Sequence, residues 1–212
     1  MILLLVYTAF LIGSIPTGLL LARGKGVDLK KVGSGNIGAT NVMRAMGKGA
    51  ALLTLIGDMA KGALPLLLFR ALLHAGFTIR FPGFLAALSI DPRVAAEGLL
   101  GLSAILGHIF SIFLKGKGGK GVATSLGVLL VFSPFVALFS IAIWLLTAKA
   151  TRYSSLSALA AFGLLPFSFL ALDPSPEKIA TGAAITVVIF LKHRENIRRL
   201  LAGTESKIGQ KG

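Results

Sequence analysis

The chain has 212 residues, 55% hydrophobic and only 14% charged, with a mean hydropathy of +0.85, a balance that excludes an ordinary soluble domain. Its formal charge is +14; in a chain this apolar the excess marks membrane topology, so no nucleic-acid partner is expected. With no cysteine and three histidines that lack zinc-site spacing, disulfides and thiolate metal centres are excluded, and neither a metal nor a cofactor is expected.

The predicted elements follow from the apolar blocks, because a bilayer core of about 30 Å asks for roughly 20 apolar residues per helix. The first block, 2–22, has no basic n-region, and Ser14, Pro16 and Thr17 lie well inside it. It therefore reads as a retained helix and not as a secretory signal. Further spans are predicted at 50–73, 93–113, 122–132, 134–148, 154–172 and 178–191, all helical because open strands cannot cross lipid. Ser133-Pro134 interrupts the stretch from Gly121 to Ala148, which periodicity alone leaves as one kinked span or two.

Charge placement decides for two. With seven crossings the segments 23–49, 115–121, 149–153 and 192–212 share one side, and they carry 17 of the 22 Lys and Arg. Short loops rich in these residues stay cytoplasmic. The expectation is an all-α polytopic integral membrane protein of about seven transmembrane helices in one domain, 1–212. Its N-terminus is outside and its C-terminus cytoplasmic. The span opening at 122, about ten residues long, is too short to cross lipid alone and should pack inside the bundle. The segment 78–90 is mildly apolar and is predicted as a short helix at the outer interface.

Three of the basic segments carry chemistry. The first, G-S-G-N-I-G-A-T-N-V-M-R at 33–44, has Gly33 and Gly35 to let backbone amides approach an anion, with Ser34, Asn36, Thr40, Asn41 and Arg44 as donors. The competing reading is an ordinary flexible loop. Its glycines also fit G-x-G-x-x-G, but that fingerprint needs a preceding strand, and a membrane helix precedes it here. The second, K-G-K-G-G-K-G at 115–121, sets Lys115, Lys117 and Lys120 among Gly118, Gly119 and Gly121 just before a helix, so amides and ammonium groups can surround a phosphate. Leu114 and Gly121 break any match to a Walker loop, and a purely topogenic basic loop is the alternative.

The third segment, H-R-E-N-I-R-R-L-L-A-G-T-E-S-K-I-G at 193–209, is predicted to begin as a continuation of the last span, with His193 near the interface and Asn196 one turn on. A basic stop sequence facing anionic headgroups is its alternative. Within the bilayer, Asp58 and Lys61 stand one turn apart in G-D-M-A-K-G and read as a structural ion pair. His108, near the inner face, reads as structural, site-lining or both, and His74 as a loop histidine.

Together the three segments resemble the motifs of the bacterial membrane glycerol-3-phosphate acyltransferases that use acyl-phosphate as donor, the PlsY family. The similarity continues through G-D-M-A-K-G at 57–62, L-G-H-I-F at 106–110 and T-R-Y-S-S-L at 151–156, so it covers essentially the whole chain. Ser111 stands where proline is expected, and Gly116 where an aromatic is common. The resemblance implies transfer of a fatty acyl group to the 1-hydroxyl of sn-glycerol 3-phosphate, giving lysophosphatidic acid and phosphate, the first step of phospholipid synthesis. It implies a monomer in the bacterial cytoplasmic (inner) membrane, with the site on the cytoplasmic face.

On the same resemblance Ser34, Arg44, His193 and Asn196 are catalytic, Lys115 to Gly121 form the glycerol-phosphate site, Gly203 is needed for activity and Glu205 is structural. Acyl-phosphate is already an activated mixed anhydride, so the transfer needs no cofactor. His193, with an unperturbed pKa of about 6.5, suits a general base; a donor phosphate oxygen can accept the proton instead. Neither G-x-S-x-G nor His-x4-Asp occurs, so no acyl-serine intermediate is expected. A phosphate or organic-anion transporter and a non-catalytic lipid-binding scaffold are the competing functions.

Overall fold

The computed structural model describes residues 2–78 and 90–210, and no strand occurs among them. The helices are α1 (Ile2–Ser14), α2 (Thr17–Gly24), α3 (Ala39–Met46), α4 (Lys48–His74), α5 (Pro92–Ile109), α6 (Val122–Phe132), α7 (Pro134–Thr151), α8 (Ser154–Gly163), α9 (Leu165–Leu172), α10 (Pro176–Lys192) and α11 (Arg194–Leu201). Four stretches are long and apolar enough to cross a bilayer: Ile2–Gly24, Lys48–His74, Pro92–Leu114 and Pro134–Thr151. The bent pair of α8 and α9 makes a fifth. At 11 residues α6 is too short to cross alone, and it lies inside the bundle with Thr124, Ser125, Gly127, Val128 and Leu129 buried. The predicted interfacial helix at 78–90 falls almost wholly outside the described residues. His74 is the last residue of α4 and not a loop residue.

Proline sets the breaks. Pro134 opens α7 directly after α6, so the stretch 122–148 is two helices, as charge placement required. The first span, expected as one helix, breaks at Ile15-Pro16 because proline has no N–H to continue the ladder. The carbonyls released there find side-chain donors: Ser111 Oγ donates to Ser14 O at 2.6 Å and Lys61 Nζ to Ile15 O at 2.7 Å. The span predicted at 154–172 likewise bends, by 44°. Pro166 leaves the Phe162 carbonyl without its helical partner, and Thr186 Oγ1 supplies the bond at 2.6 Å. The last span, predicted at 178–191, ends at Lys192, and the continuation expected through His193 is interrupted there, with His193 as a cap between α10 and α11.

Close pairs of helices hold the bundle. At α1 against α5, Gly13 lies on the Ala104 carbonyl and Gly107 on that of Phe10; at α4 against α6, Gly62 lies on Thr124 O and Gly127 on Met59 O. None of the four leaves room for a Cβ, the small-residue contact that membrane helices use when lipid removes the hydrophobic drive to associate. A core that includes Leu66, Phe69, Leu100, Leu129, Phe162 and Ile185 runs through the helices. Leu3, Phe135, Leu146 and Phe167 instead point outward, as lipid-facing side chains do.

The two ends of the bundle are tied separately. At one end Thr40 meets Ser154 (3.1 Å), Arg44 meets Ser206 (3.0 Å) and Lys120 meets Asn196 (2.5 Å). At the other, Ser133 and Lys178 both donate to Asp173 (2.6 Å each), and the Asp91 N–H donates to Glu177 (2.7 Å). The four basic segments thus share the first end. Gly127→Val should force α6 off α4 and cost about 1–3 kcal/mol, as overpacking does. Thermal unfolding in detergent should show a lowered Tm, with Leu146→Val on the lipid face near wild type.

Candidate active site

At the basic end a cavity of about 1090 Å³ opens between α4, α6, α7 and α8. Leu55, Met59, Leu126, Ile141, Trp144 and Leu145 give it an apolar lower wall. Ser34, Asn36, Thr40 and Arg44 from the first segment, Lys120 from the second, and His193 and Asn196 from the third form its polar rim. Asp58 and His108 line it as well. The three segments singled out in the sequence therefore meet in one place, but not every residue within them reaches it.

In the first segment Asn41 is buried and both ends of its amide are engaged: Oδ1 accepts the Ser34 N–H (3.0 Å) and Nδ2 donates to Leu29 O (3.2 Å). Asn41 therefore holds Ser34 at the rim, and it lines the cavity itself. Gly33 lines the cavity; Gly35 does not, and its N–H bonds Val32 O at 3.0 Å.

The second segment departs more from expectation. Lys115 and Lys117 are exposed and outside the cavity, while Lys120 lines it. Gly118 and Gly119 donate their N–H groups to Ile109 O (3.0 Å) and His108 O (3.1 Å), so these amides are not free for an anion. The reason is local: α5 ends at Ile109, and its last carbonyls need donors. Gly121 precedes the first turn of α6, whose residues Val122 and Ala123 do line the cavity.

The third segment is organised by Glu205. Its Oε1 accepts from Ser155 Oγ and Asn196 Nδ2, both at 2.6 Å, and its Oε2 from Arg199 Nε at 2.7 Å. Asn196 then accepts the Lys120 ammonium on Oδ1. Burial alone would raise the Glu205 carboxyl, but the bonds from Ser155, Asn196 and Arg199 outweigh it and hold the group below 4.5. Gly203 lies outside the cavity lining; at φ +69° it makes the turn after α11, and Thr204 N–H bonds back to Arg199 O at 2.8 Å.

That turn sends residues 204–210 over the rim, where Arg44 Nη2 donates to Ser206 Oγ. Arg152, at φ +62°, presents its carbonyl to Ile208 N–H at 2.7 Å. Arg152, Ser155 and Ser206 are site-building residues that the motif reading passed over. Arg152 and Ser155 stand in T-R-Y-S-S-L, whose partners lie some fifty residues away, and Ser206 stands within the third segment.

Two groups titrate unusually. Burial pushes the Lys120 ammonium down from 10.5 to about 8; Glu205 opposes this, while Arg199, Arg44 and Lys192 add to it. His193 is pushed down from 6.5 to about 4, chiefly by burial, with the Ile189 carbonyl opposing and Lys120 assisting. Its Nδ1 lies 2.8 Å from Ile189 O. A carbonyl only accepts, so the neutral ring carries its proton on Nδ1 and keeps a free lone pair on Nε2.

Fold and site define a multi-pass membrane protein with a pocket that is cationic at its mouth and apolar below. Residues 3–203 match the family model described as Glycerol-3-phosphate acyltransferase, and the chain belongs to that family. It is 46% identical to a glycerol-3-phosphate acyltransferase of Geobacter sulfurreducens, over 97% of this chain and 96% of that one. The identity is also 46% to one of Rubrobacter xylanophilus, over 97% and 94%. The fold is similar to crystal structures of PlsY (YgiH), an integral membrane glycerol 3-phosphate acyltransferase, at 38% identity. The glycerol 3-phosphate form gives a TM-score of 0.84 over 98% of this chain and 96% of that one. The lysophosphatidic acid form gives 0.82 over 98% and 95%.

Glu205→Ala leaves three donors without their acceptor and should cost about 1–3 kcal/mol. Because the folded carboxyl lies below 4.5, its contribution is complete above that pH and is lost as pH falls through the lower folded value. The Tm gap between wild type and Glu205→Ala should therefore narrow on acidification below pH 4.5.

Proposed function

We propose that this chain moves a fatty acyl group from acyl-phosphate to the 1-hydroxyl of sn-glycerol 3-phosphate, giving lysophosphatidic acid and inorganic phosphate. The observation that carries the reading is the joining, in one cavity, of a cationic rim at Arg44 and Lys120 to an apolar wall wide enough for an acyl chain. The relatives' names supply the acceptor; acyl-phosphate as donor rests on the motif resemblance and on the chemistry of the rim.

In the reaction the 1-hydroxyl oxygen attacks the acyl carbonyl carbon, the bond from that carbon to the phosphate oxygen breaks, and phosphate departs. Two anions must meet, and Arg44, Lys120 and Arg199 offset their repulsion. Lys120 holds the glycerol phosphate, its ammonium aimed by Asn196. Ser34 and the first-turn amides of α6 donate to the donor head. A base with a pKa of about 4 draws little proton from an alcohol at neutral pH. The departing phosphate therefore takes the proton, and His193 Nε2 orients the hydroxyl by accepting its hydrogen bond. Ser34, Arg44, His193 and Asn196 are the residues assigned to the transfer. Asn36 and Thr40 complete the polar rim, and Lys115 and Lys117 are left to topology.

The shared placement of the four basic segments supports seven crossings, an outside N-terminus and a site on the cytoplasmic face of the bacterial inner membrane. A main core through the bundle, with a smaller cluster around Leu29 and Val42, supports a single domain. The transporter reading is not favoured, because below Lys120 the wall is mainly apolar, built by Leu55, Met59, Leu126, Ile141, Trp144 and Leu145, with Asp58 and His108 the polar exceptions.

Purified protein given glycerol 3-phosphate and palmitoyl-phosphate should release phosphate and form lysophosphatidic acid; a folded sample without turnover overturns the proposal. Lys120→Ala should raise the KM for glycerol 3-phosphate about tenfold or more, the scale of a lost charged hydrogen bond. In wild type kcat/KM should fall above about pH 8 as the lysine loses its proton, and Lys120→Arg should abolish that fall.

A further inference from the structure

Below the Lys120 segment lies a buried polar group that the acyl-transfer chemistry does not use. Asp58 and Lys61 on α4 and His108 on α5 have side chains only 3%, 6% and 4% exposed. Lys61 Nζ lies 2.8 Å from Asp58 Oδ1, and Asp58 Oδ1 lies 3.7 Å from His108 Nδ1. Lys61 also caps Ile15 O at the break in the first span. Burying charges in a spanning helix is costly, and a buried ion pair is weak evidence of stabilisation, so its presence points to geometry that it maintains.

The far side of His108 shows what that geometry is. Its carbonyl takes the Gly119 N–H at 3.1 Å, and its Nε2 stands against Gly119 so closely that no Cβ fits between them. The main chain immediately before Lys120 is thus laid on the imidazole. One end of the lysine is set there, and its ammonium end is set by Asn196 at 2.5 Å.

We propose that His108 is a positioning residue for Lys120, its ring backed by Asp58 at 3.7 Å, with Lys61 anchoring Asp58 to the break between α1 and α2. The inference rests on the reading of Lys120 as the lysine that holds glycerol phosphate. His108 lines the cavity, and the part proposed for it is to fix where the ammonium stands.

A double-mutant cycle tests this, with kcat and KM for glycerol 3-phosphate measured for wild type, His108→Ala, Lys120→Ala and the double variant. His108→Ala removes the ring and keeps the carbonyl, so it should raise KM about tenfold while kcat changes less than about threefold. In the Lys120→Ala background the same change should add less than about twofold, because the group it positions is gone. Effects that multiply overturn the proposal, as does a collapse of kcat at unchanged KM.

Asp58→Asn, close to isosteric, gives a second route should the histidine variant lose its fold, judged by Tm in detergent. It should raise KM in the same direction and also fail to multiply with Lys120→Ala; an unchanged KM overturns the role of Asp58 and with it the proposal. Gly119→Ala should raise KM through its clash with the ring, and His108→Ala should suppress most of that effect. Wild-type turnover is the separate check on function: its absence overturns the acyltransferase reading, whereas multiplicative effects in an active enzyme overturn only the role of His108.

Discussion

In lipid a backbone carbonyl without a donor has no water to turn to, and this constraint runs through the whole molecule. Breaks in the helices release carbonyls, and several of these are answered by a particular side chain or amide. Ser111 and Lys61 answer the break at Pro16, and Thr186 the bend before Pro166. Gly118 and Gly119 answer the end of α5. The last case shapes the site, because the glycines that close the helix also fold the chain so that Lys120 enters the cavity.

Electrostatics at the rim follow from a shortage of acids. Glu205 is the carboxylate at the centre of the cations, and it is already saturated by Ser155, Asn196 and Arg199. Lys120 is therefore paired with a neutral amide and not with a charge, which leaves its field available to a ligand. Its lowered pKa is the mark of that arrangement: a buried ammonium among other cations is held ready for an anion to complete its neutralisation.

Much of the fold was legible because the length of an apolar run and the side on which lysines fall are properties of the chain read in one dimension. Ser133-Pro134 was readable as a break because proline and charge counting agreed there. Pro16 and Pro166 were not, since both lie within long apolar runs and the carbonyls they free are answered from distant helices. The pair Asp58 and Lys61 was visible because both residues sit on one helix, one turn apart. The division of the three lysines was hidden, because it depends on which carbonyls the intervening glycines serve. Asn36 and Asn41 look alike in sequence and both line the cavity, yet Asn41 also braces the loop through Ser34 N–H and Leu29 O.

The two lysines left outside the cavity have a consequence of their own. Lys115 and Lys117 follow the exposed Phe110, Ile112 and Phe113, and Lys192 lies over the Phe110 ring at 5.3 Å from its centroid. Aromatic and aliphatic side chains beside lysines act as a float, seeking the level where headgroups meet acyl chains. On the proposed function, a loop moored at that depth would hold the cavity mouth level with the lipid phosphates. A water-soluble substrate would then arrive along the membrane normal and a chain-bearing one within the plane, so that neither would have to cross the other's solvent.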